Sequence, residues 1–569
     1  MRNLDLKFEE YPLHIPNEKR TIAKLQKLVE ALKESKSAKE AKAVIKKWNK
    51  FMSELQTDMS IISVRYSLDT RDPVYKKAQD KLDELSPLIA DCSTNFEKIL
   101  LESHYRKELE KEFGEYLFKI YEGNLKSFDS AIIPELIEEN KLSSKYDEIM
   151  GGAQIEFRGE IYNLSQIGKF FSDLDPKVRE DAAKAMDKWL GEHEKEIGDI
   201  YSQLVLLRDN MAKKLGFKNF IELGYLRLGR TDYDATMVAG YRKQIQETVV
   251  PIAQKLYKKQ MKGLGIKHPQ AYDYNLKFKS GNPTPKGSTQ DLVNAAKKMY
   301  EHLSEESNVF INFMINHNLM DLEARPGKAP GGYCTNFPAY KAPFIFSNFN
   351  GTDGDVNVLC HEGGHAFQGF LSANIKVPEY QNPTLESCEI HSMSMEFFSW
   401  PYMEDFFGED ANKYRYSHLV DAIQFLPYGI TIDEFQHWVY ENPTATHEER
   451  CAKYLEIEKK NLPHKRYDKC PTLAKGTWWL RQSHIFGVPF YYIDYTLAQV
   501  CAFQFLDEDR KNHEKAWKKY VKLCKMGGKL PFTGLLEKDH LRNPFIDGNV
   551  AKNIKPLVKV LKSFDQYNF

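Results

Sequence analysis

Apolar residues recur at helical spacing along most of this chain. In "TIAKLQKLVEALKES" Ile22, Leu25, Leu28, Val29 and Leu32 share one stripe, and "AKAVIKKWNKFMSEL" repeats the spacing. The pattern continues from "DPVYKKAQDKLDEL" to "FGEYLFKIYEGNLKSF", which predicts a helical N-terminal region over 1–150. "AQIEFRGEIYNL" then alternates about a Gly-centred turn, the pattern of a short hairpin. Helices resume in 151–569, the first opened by Asp175 as cap and Pro176 in the first turn. Segment 266–290 is rich in Gly and Pro and predicts a loop around a short strand. Segment 325–354 predicts a loop leading to one aromatic strand, "PFIFSNF". The pattern describes a large, mainly α protein with a small β element.

Composition narrows the function without identifying it. The 569 residues carry 80 basic and 80 acidic side chains, so no net charge attracts a phosphate backbone, and nucleic acid is not an expected partner. No stretch approaches the roughly 18 uninterrupted apolar residues of a membrane span, and the first residues show no apolar signal core. Eight cysteines are scattered without a CxxC pair, which predicts reduced thiols and a cytoplasmic protein.

The chemistry concentrates in "LCHEGGHAF". Two glycines stand inside a predicted helix, each costing about 0.8–1.0 kcal/mol relative to alanine. His361 and His365, four residues apart, project from one face and can share a metal ion. Glu362 lies on the shoulder of that face, placed to touch a water beside the metal. A catalytic zinc needs a third protein ligand. Gln368 and Leu371 exclude a third histidine at the HExxHxxGxxH spacing, and Thr384 and Leu385 stand where a glutamate of thermolysin-like spacing would fall. Glu386, Glu389 and Glu396 are the nearest candidates, with Glu386 placed as a surface or capping residue.

At these residues the chain resembles the thimet-oligopeptidase and oligoendopeptidase F family of zinc peptidases, most closely the bacterial oligoendopeptidase F branch. "EIHSMSME" matches the family's Glu-x-x-Ser-x-x-x-Glu segment, which implies Glu389 as third ligand and Glu396 as a group supporting the ligands. "GKAPGGY", "PFIFSNFNGT" and "DVNVLCHEGGHAF" resemble its loop, edge strand and metal helix in order. "HIFGVPFYYIDYTLAQ" resembles its loop over the active site, which implies that His484, Tyr492 and Tyr495 contact substrate and intermediate, with Tyr491 competing for the place of Tyr492. "AKKLGFKNFIELGYLRLGR" also resembles the family, with no chemistry attached. The resemblance covers roughly 200–545 and implies one Zn2+ per chain, short peptide substrates and a deep channel.

The expected reaction is hydrolysis of internal peptide bonds by a zinc-activated water, with Glu362 as general base and Tyr492 or His484 steadying the oxyanion. The strand holding Phe346 is expected to bind substrate backbone by strand addition. Gly364 is placed where that strand or the peptide comes close, and Gly363 against a neighbouring helix. Asn357 is a candidate partner for a ligand histidine, and Asp355 either another or a cap of the helix N-terminus. Cys360 and Cys388 are read as small buried thiols, and Arg325 and Arg481 as structural cations. A metallocarboxypeptidase of related build and a metal-free peptide-binding homologue remain the alternatives.

Overall fold

The structure, a computed structural model, describes residues 4–565 and 567. Helices Glu18–Lys33, Ala38–Leu68 and Pro73–Leu101 turn their apolar stripes inward. They bury Leu25, Trp48 and Phe96 in a core of their own, with Trp48 stacked on Phe96 at 4.0 Å between ring centroids. Two residues from far along the chain, Val377 and Tyr380, complete that core. Tyr380 Oη accepts a hydrogen bond from Leu117 N at 2.8 Å, tying the N-terminal helices to the chain between two site helices. A second, larger core runs from Phe8 to Phe564 and takes in Ile61 and Val64 of the N-terminal helices. The long helix Pro176–Lys214 begins as its sequence predicts, Asp175 accepting from Lys177 N at 2.8 Å with Pro176 in the first turn.

Five short strands interrupt the helices. β1 (Ile155–Phe157) and β2 (Glu160–Tyr162) form the predicted hairpin. Arg158 and Gly159 turn it at φ 54° and 85°, the left-handed pair that a two-residue hairpin requires. β3 (Met320–Glu323), β4 (Tyr333–Phe337) and β5 (Ala342–Phe349) make a sheet in the order β3-β5-β4.

That order corrects two expectations. β5, the "PFIFSNF" strand, is central, parallel to β3 and antiparallel to β4, so both its edges are already hydrogen-bonded. Phe346 is fully buried, stacked on Tyr333 with centroids 4.8 Å apart, and cannot touch a substrate. The free edges belong to β3 and β4, and the mixed polar and aromatic residues of β4 carry no clear alternation and read as loop. In 266–290 the expected short strand is instead a 3-10 turn, Ala271–Asn275. Asp273 folds back to accept from Gln270 N at 2.8 Å, and buried Arg179 holds the same carboxylate at 2.9 Å.

Three helices converge behind β4 and β5. The HEGGH helix, Asp353–Ser372, leaves β5 through a turn pinned by Asp355, which accepts from Asn350 N and Gly351 N at 3.0 and 2.7 Å. Helix Leu385–Phe398 lies against it, buried on nearly every side. Helix Tyr492–Asp509 packs along Leu385–Phe398 more extensively than any other pair of elements does.

Candidate active site

The two glycines of HEGGH settle how closely these helices meet. A Cβ on Gly364 would stand 2.7 Å from Ser392 Cα and 2.8 Å from His391 O, inside the backbone of helix Leu385–Phe398. Bare backbone at 364 lets that helix come within reach of both histidines. The expectation that Gly364 faces a substrate or an edge strand is therefore corrected: its neighbour is the Glu389 helix. Gly363 faces helix Thr289–Leu303, where a Cβ would collide with the hydroxyl of buried Tyr300.

The contact brings His361, His365 and Glu389 together. Glu389 Oε2 lies 3.1 Å from His361 Nε2 and 3.3 Å from His365 Nε2. One ligand atom from each of the three lies within 4.8 Å of the others, a grouping that can hold a metal ion. Ser392 Oγ donates to Glu389 Oε2 at 2.8 Å, and Tyr491 Oη donates to the other oxygen. Burial opposes the Glu389 carboxylate, but the imidazoles of His365 and His361 outweigh it and hold its pKa well below the usual range. Glu362 is also buried, which raises its pKa against the pull of the same histidines. Its Oε2 has no hydrogen-bond partner among the described residues.

A chain of side chains orients His361. Trp400 Nε1 donates to His418 Nδ1 at 2.9 Å, which leaves the His418 proton on Nε2, facing Glu396 Oε2 at 2.7 Å. Glu396 Oε1 in turn accepts from His361 Nδ1 at 2.6 Å. With Nδ1 held by Glu396, His361 turns Nε2 toward the cluster, where it can serve as a metal ligand. Neither candidate from its own helix serves this purpose: Asn357 accepts from Tyr414 Oη at 3.4 Å, and Asp355 pins the preceding turn.

A second chain fixes His484. Trp478 Nε1 donates to Tyr428 Oη at 3.2 Å, and Tyr428 donates to Gln482 Oε1 at 2.7 Å. Gln482 Nε2 then faces His484 Nδ1 at 2.8 Å, leaving the imidazole proton on Nε2, 3.0 Å from Tyr495 Oη. Burial pushes the His484 pKa down to about 4, against the pull of Glu389, so the ring is neutral near pH 7.

All of this opens on a cleft of about 590 Å³. The histidines, Glu362 and Glu389 form its floor, β4 one wall, and Gln56 and Ser60 of the N-terminal helix Ala38–Leu68 face them across it. His484, Tyr491 and Tyr495 line it, and Tyr492 does not. Tyr491 and Tyr495 are four residues apart on one helical face, with ring centroids 4.9 Å apart. Tyr492 points roughly 100° round the helix, against Phe425 and Tyr428, into an adjoining cavity of about 370 Å³ that His361, His484 and Tyr495 also line. The placement of Tyr492 over the metal cluster is thus corrected in favour of Tyr491.

Glu386, expected at the surface or capping a helix, is buried, and neither carboxylate oxygen has a hydrogen-bond partner among the described residues. Burial, and then the charge of Asp494, push its pKa up to about 8. Cys360 is buried as expected, while Cys388 is partly exposed and lines the cleft. Arg325 pairs with Asp321 at 2.7 Å, and Arg481 lies over the ring of Trp478. Sequence reasoning missed Trp400, His418, Trp478, Tyr428 and Gln482. Only Gln482, two residues from His484, carried any local signal.

The fold and the cluster define a class: a large helical protein in which an HExxH helix and a glutamate from a second helix gather a metal-binding group on the floor of a cleft. The chain belongs to peptidase family M3, a family of metal-dependent peptidases, which it matches over residues 170–552; residues 8–128 match the Peptidase M3 N-terminal domain. It is 46% identical to PZ peptidase A, solved with an inhibitor, with a TM-score of 0.97 over 98% of this chain and 99% of that one. It is 44% identical to a protein of Bacillus anthracis provisionally assigned as oligoendopeptidase F, with a TM-score of 0.93 over 99% of each chain. An oligoendopeptidase F homolog of Mycoplasma genitalium is 21% identical over 413 residues, 66% of this chain, which spans 64% of the length of that curated relative. No helix among the described residues is long and apolar enough to cross a membrane.

Proposed function

We propose that this protein is a zinc endopeptidase that hydrolyses internal bonds of short peptides in the cytoplasm. The observation that carries the reading is the unpartnered Glu362 oxygen beside the His361, His365 and Glu389 cluster. Two imidazole nitrogens and one carboxylate oxygen are the donor set of a catalytic zinc site with one position open. His361, His365 and Glu389 would hold one zinc ion per chain, which would supply an acidified water and polarisation of the scissile carbonyl. Glu362 takes the proton from the attacking water and passes it to the leaving amine. Tyr491, freed from Glu389, donates to the developing oxyanion, while Tyr495 and His484 hold the peptide beside it. The free edge of β4 lines the cleft and offers backbone pairing to an extended peptide. Backbone pairing favours peptides of varied side chains. Eight free thiols support a reducing compartment.

The test is Glu362→Gln. It should keep one zinc per chain, measured by elemental analysis, and lose about 10²–10⁴ of the turnover rate. Substantial residual turnover would sink the general-base role. Mass spectrometry of the products from a decapeptide, with and without chelator, should show internal cuts that chelation abolishes. Stepwise loss of single C-terminal residues would make the enzyme a carboxypeptidase instead.

A further inference from the structure

The segment "FIELGYLRLGR" has no place in the chemistry above, yet it meets the tyrosine loop at its most strained residue. Phe490, next before Tyr491, sits at φ 68°, a left-handed conformation that bulky residues rarely adopt. It is fully buried, and its amide donates to Gln436 Oε1 at 2.7 Å. Its ring lies on Gly224: a Cβ there would stand 2.8 Å from Phe490 Cδ2. Tyr225 closes one side of the ring, edge-on at 5.5 Å. The carbonyl of Phe490 accepts from Arg230 Nη2 at 2.7 Å, and the same nitrogen reaches Asp494 Oδ1 at 2.5 Å. Arg230 and Asp494 are both fully buried. At the other end of the loop, buried Arg208 donates to the carbonyls of Ile485, at 3.0 Å, and Phe486, and is itself held by Glu139 at 2.6 Å. The turn between His484 and Tyr491 is thus gripped by a buried arginine at each end, with its kink seated on a glycine.

We infer that Arg230 and Gly224 are positioning residues: they hold Phe490 in its left-handed conformation and thereby aim Tyr491 at the metal cluster. Tyr491 is the cap of its helix and follows Phe490 directly, so its direction depends on the conformation of the residue before it. Rigid support of this kind matters because an oxyanion donor displaced by about 1 Å loses on the order of 10² in rate. The inference rests on the reading of Tyr491 as the oxyanion donor, and its test separates the two.

Arg230→Lys keeps the charge beside Asp494 but loses the guanidinium fork, and Gly224→Ala pushes most closely on the Phe490 ring, at 2.8 Å, and on Phe220 Cε1 at 3.1 Å. Each should lower kcat by about 10–10² with zinc content and KM nearly unchanged. Added to Tyr491→Phe, neither should lower kcat further, because the group they aim is already gone. Losses that multiply, or that appear in KM or zinc content instead, would overturn the inference. A fluorotyrosine at position 491, followed by fluorine NMR in the metal-free chain, gives a second readout. Its resonance should shift or broaden in both variants, and an unchanged resonance would also overturn the inference. A harmless Tyr491→Phe accompanied by a shifted resonance would sink the oxyanion role alone.

Discussion

The metal side and the tyrosine side of the cleft are built by opposite means. On the metal side, two helices touch backbone to backbone at Gly364 and Ser392, and the ligands follow from helical spacing. His361 and His365 are one turn apart on one helix; Glu389 and its supporter Glu396 are two turns apart on the next. On the tyrosine side, a turn joins the short helix of His484 to the helix of Tyr495 and sets where Tyr491 points. Its shape comes from buried arginines more than 250 positions upstream and from a chain of hydrogen bonds running from Trp478 to Tyr495. Close packing between helices tolerates few alternatives, so the metal side needs little besides the right small residue at one position. A turn has no such lattice. Each of its backbone groups has to be held by a named partner.

Five substitutions and one titration test this contrast. The largest effect is expected from Tyr491→Phe, which should lose about 10²–10³ in kcat at constant zinc content. Tyr492→Phe, facing the adjoining cavity and not the cleft, should change kcat little, and equal losses would erase the distinction between the two. On the metal side, Glu396→Gln should weaken zinc binding about 10–100-fold in chelator competition, since outer partners tune ligands by that much. Unchanged affinity would detach the Trp400–His418–Glu396 chain from the metal. Next in size, Gly364→Ala should cost about 1–3 kcal/mol in denaturant unfolding as the two helices are forced apart. Gly363→Ala should cost less, because its Cβ meets a side-chain hydroxyl, Tyr300 Oη, and not backbone. A larger cost at 363 would mean that helix contact does not set the geometry.

The smallest effect returns to the tyrosine side. The pKa of His484 is about 4 in the folded chain and near 6.5 when unfolded, so the unfolded state binds the extra proton between those values. Stability should rise with pH across that window and level off above it, with a slope of up to about 1.4 kcal/mol per pH unit from this residue. His484→Gln should flatten the slope by that amount. A slope unaltered by the substitution would show that His484 is not held neutral.

Most of the helical architecture was visible in the spacing of apolar residues, because a helix stripe is a local property of ten to fifteen positions. The same holds for HEGGH, whose two histidines and glutamate are placed by one helix. The strand order was not visible. "PFIFSNF" reads as a strand on its own, but whether it is central or at an edge depends on β3 and β4, and β4 carries no alternation to announce it. Phe346 was misplaced for that reason. Tyr492 was misplaced for another: its register over the metal depends on where the helix begins, which the left-handed Phe490 determines. Gly364 looked like a site for a ligand because the sequence does not reveal that helix Leu385–Phe398 fills that space.

What the sequence determined by itself was the helical class and the residue types able to bind a metal, since both follow from short-range spacing. Which glutamate closes the cluster was implied by resemblance, and its distance to the histidines exists only in the folded chain. The orientation of His361, the aim of Tyr491 and the neutral state of His484 were decided by the tertiary structure alone. Each depends on a buried partner outside the element it serves, brought there by packing and held by hydrogen bonds whose strength comes from the exclusion of water.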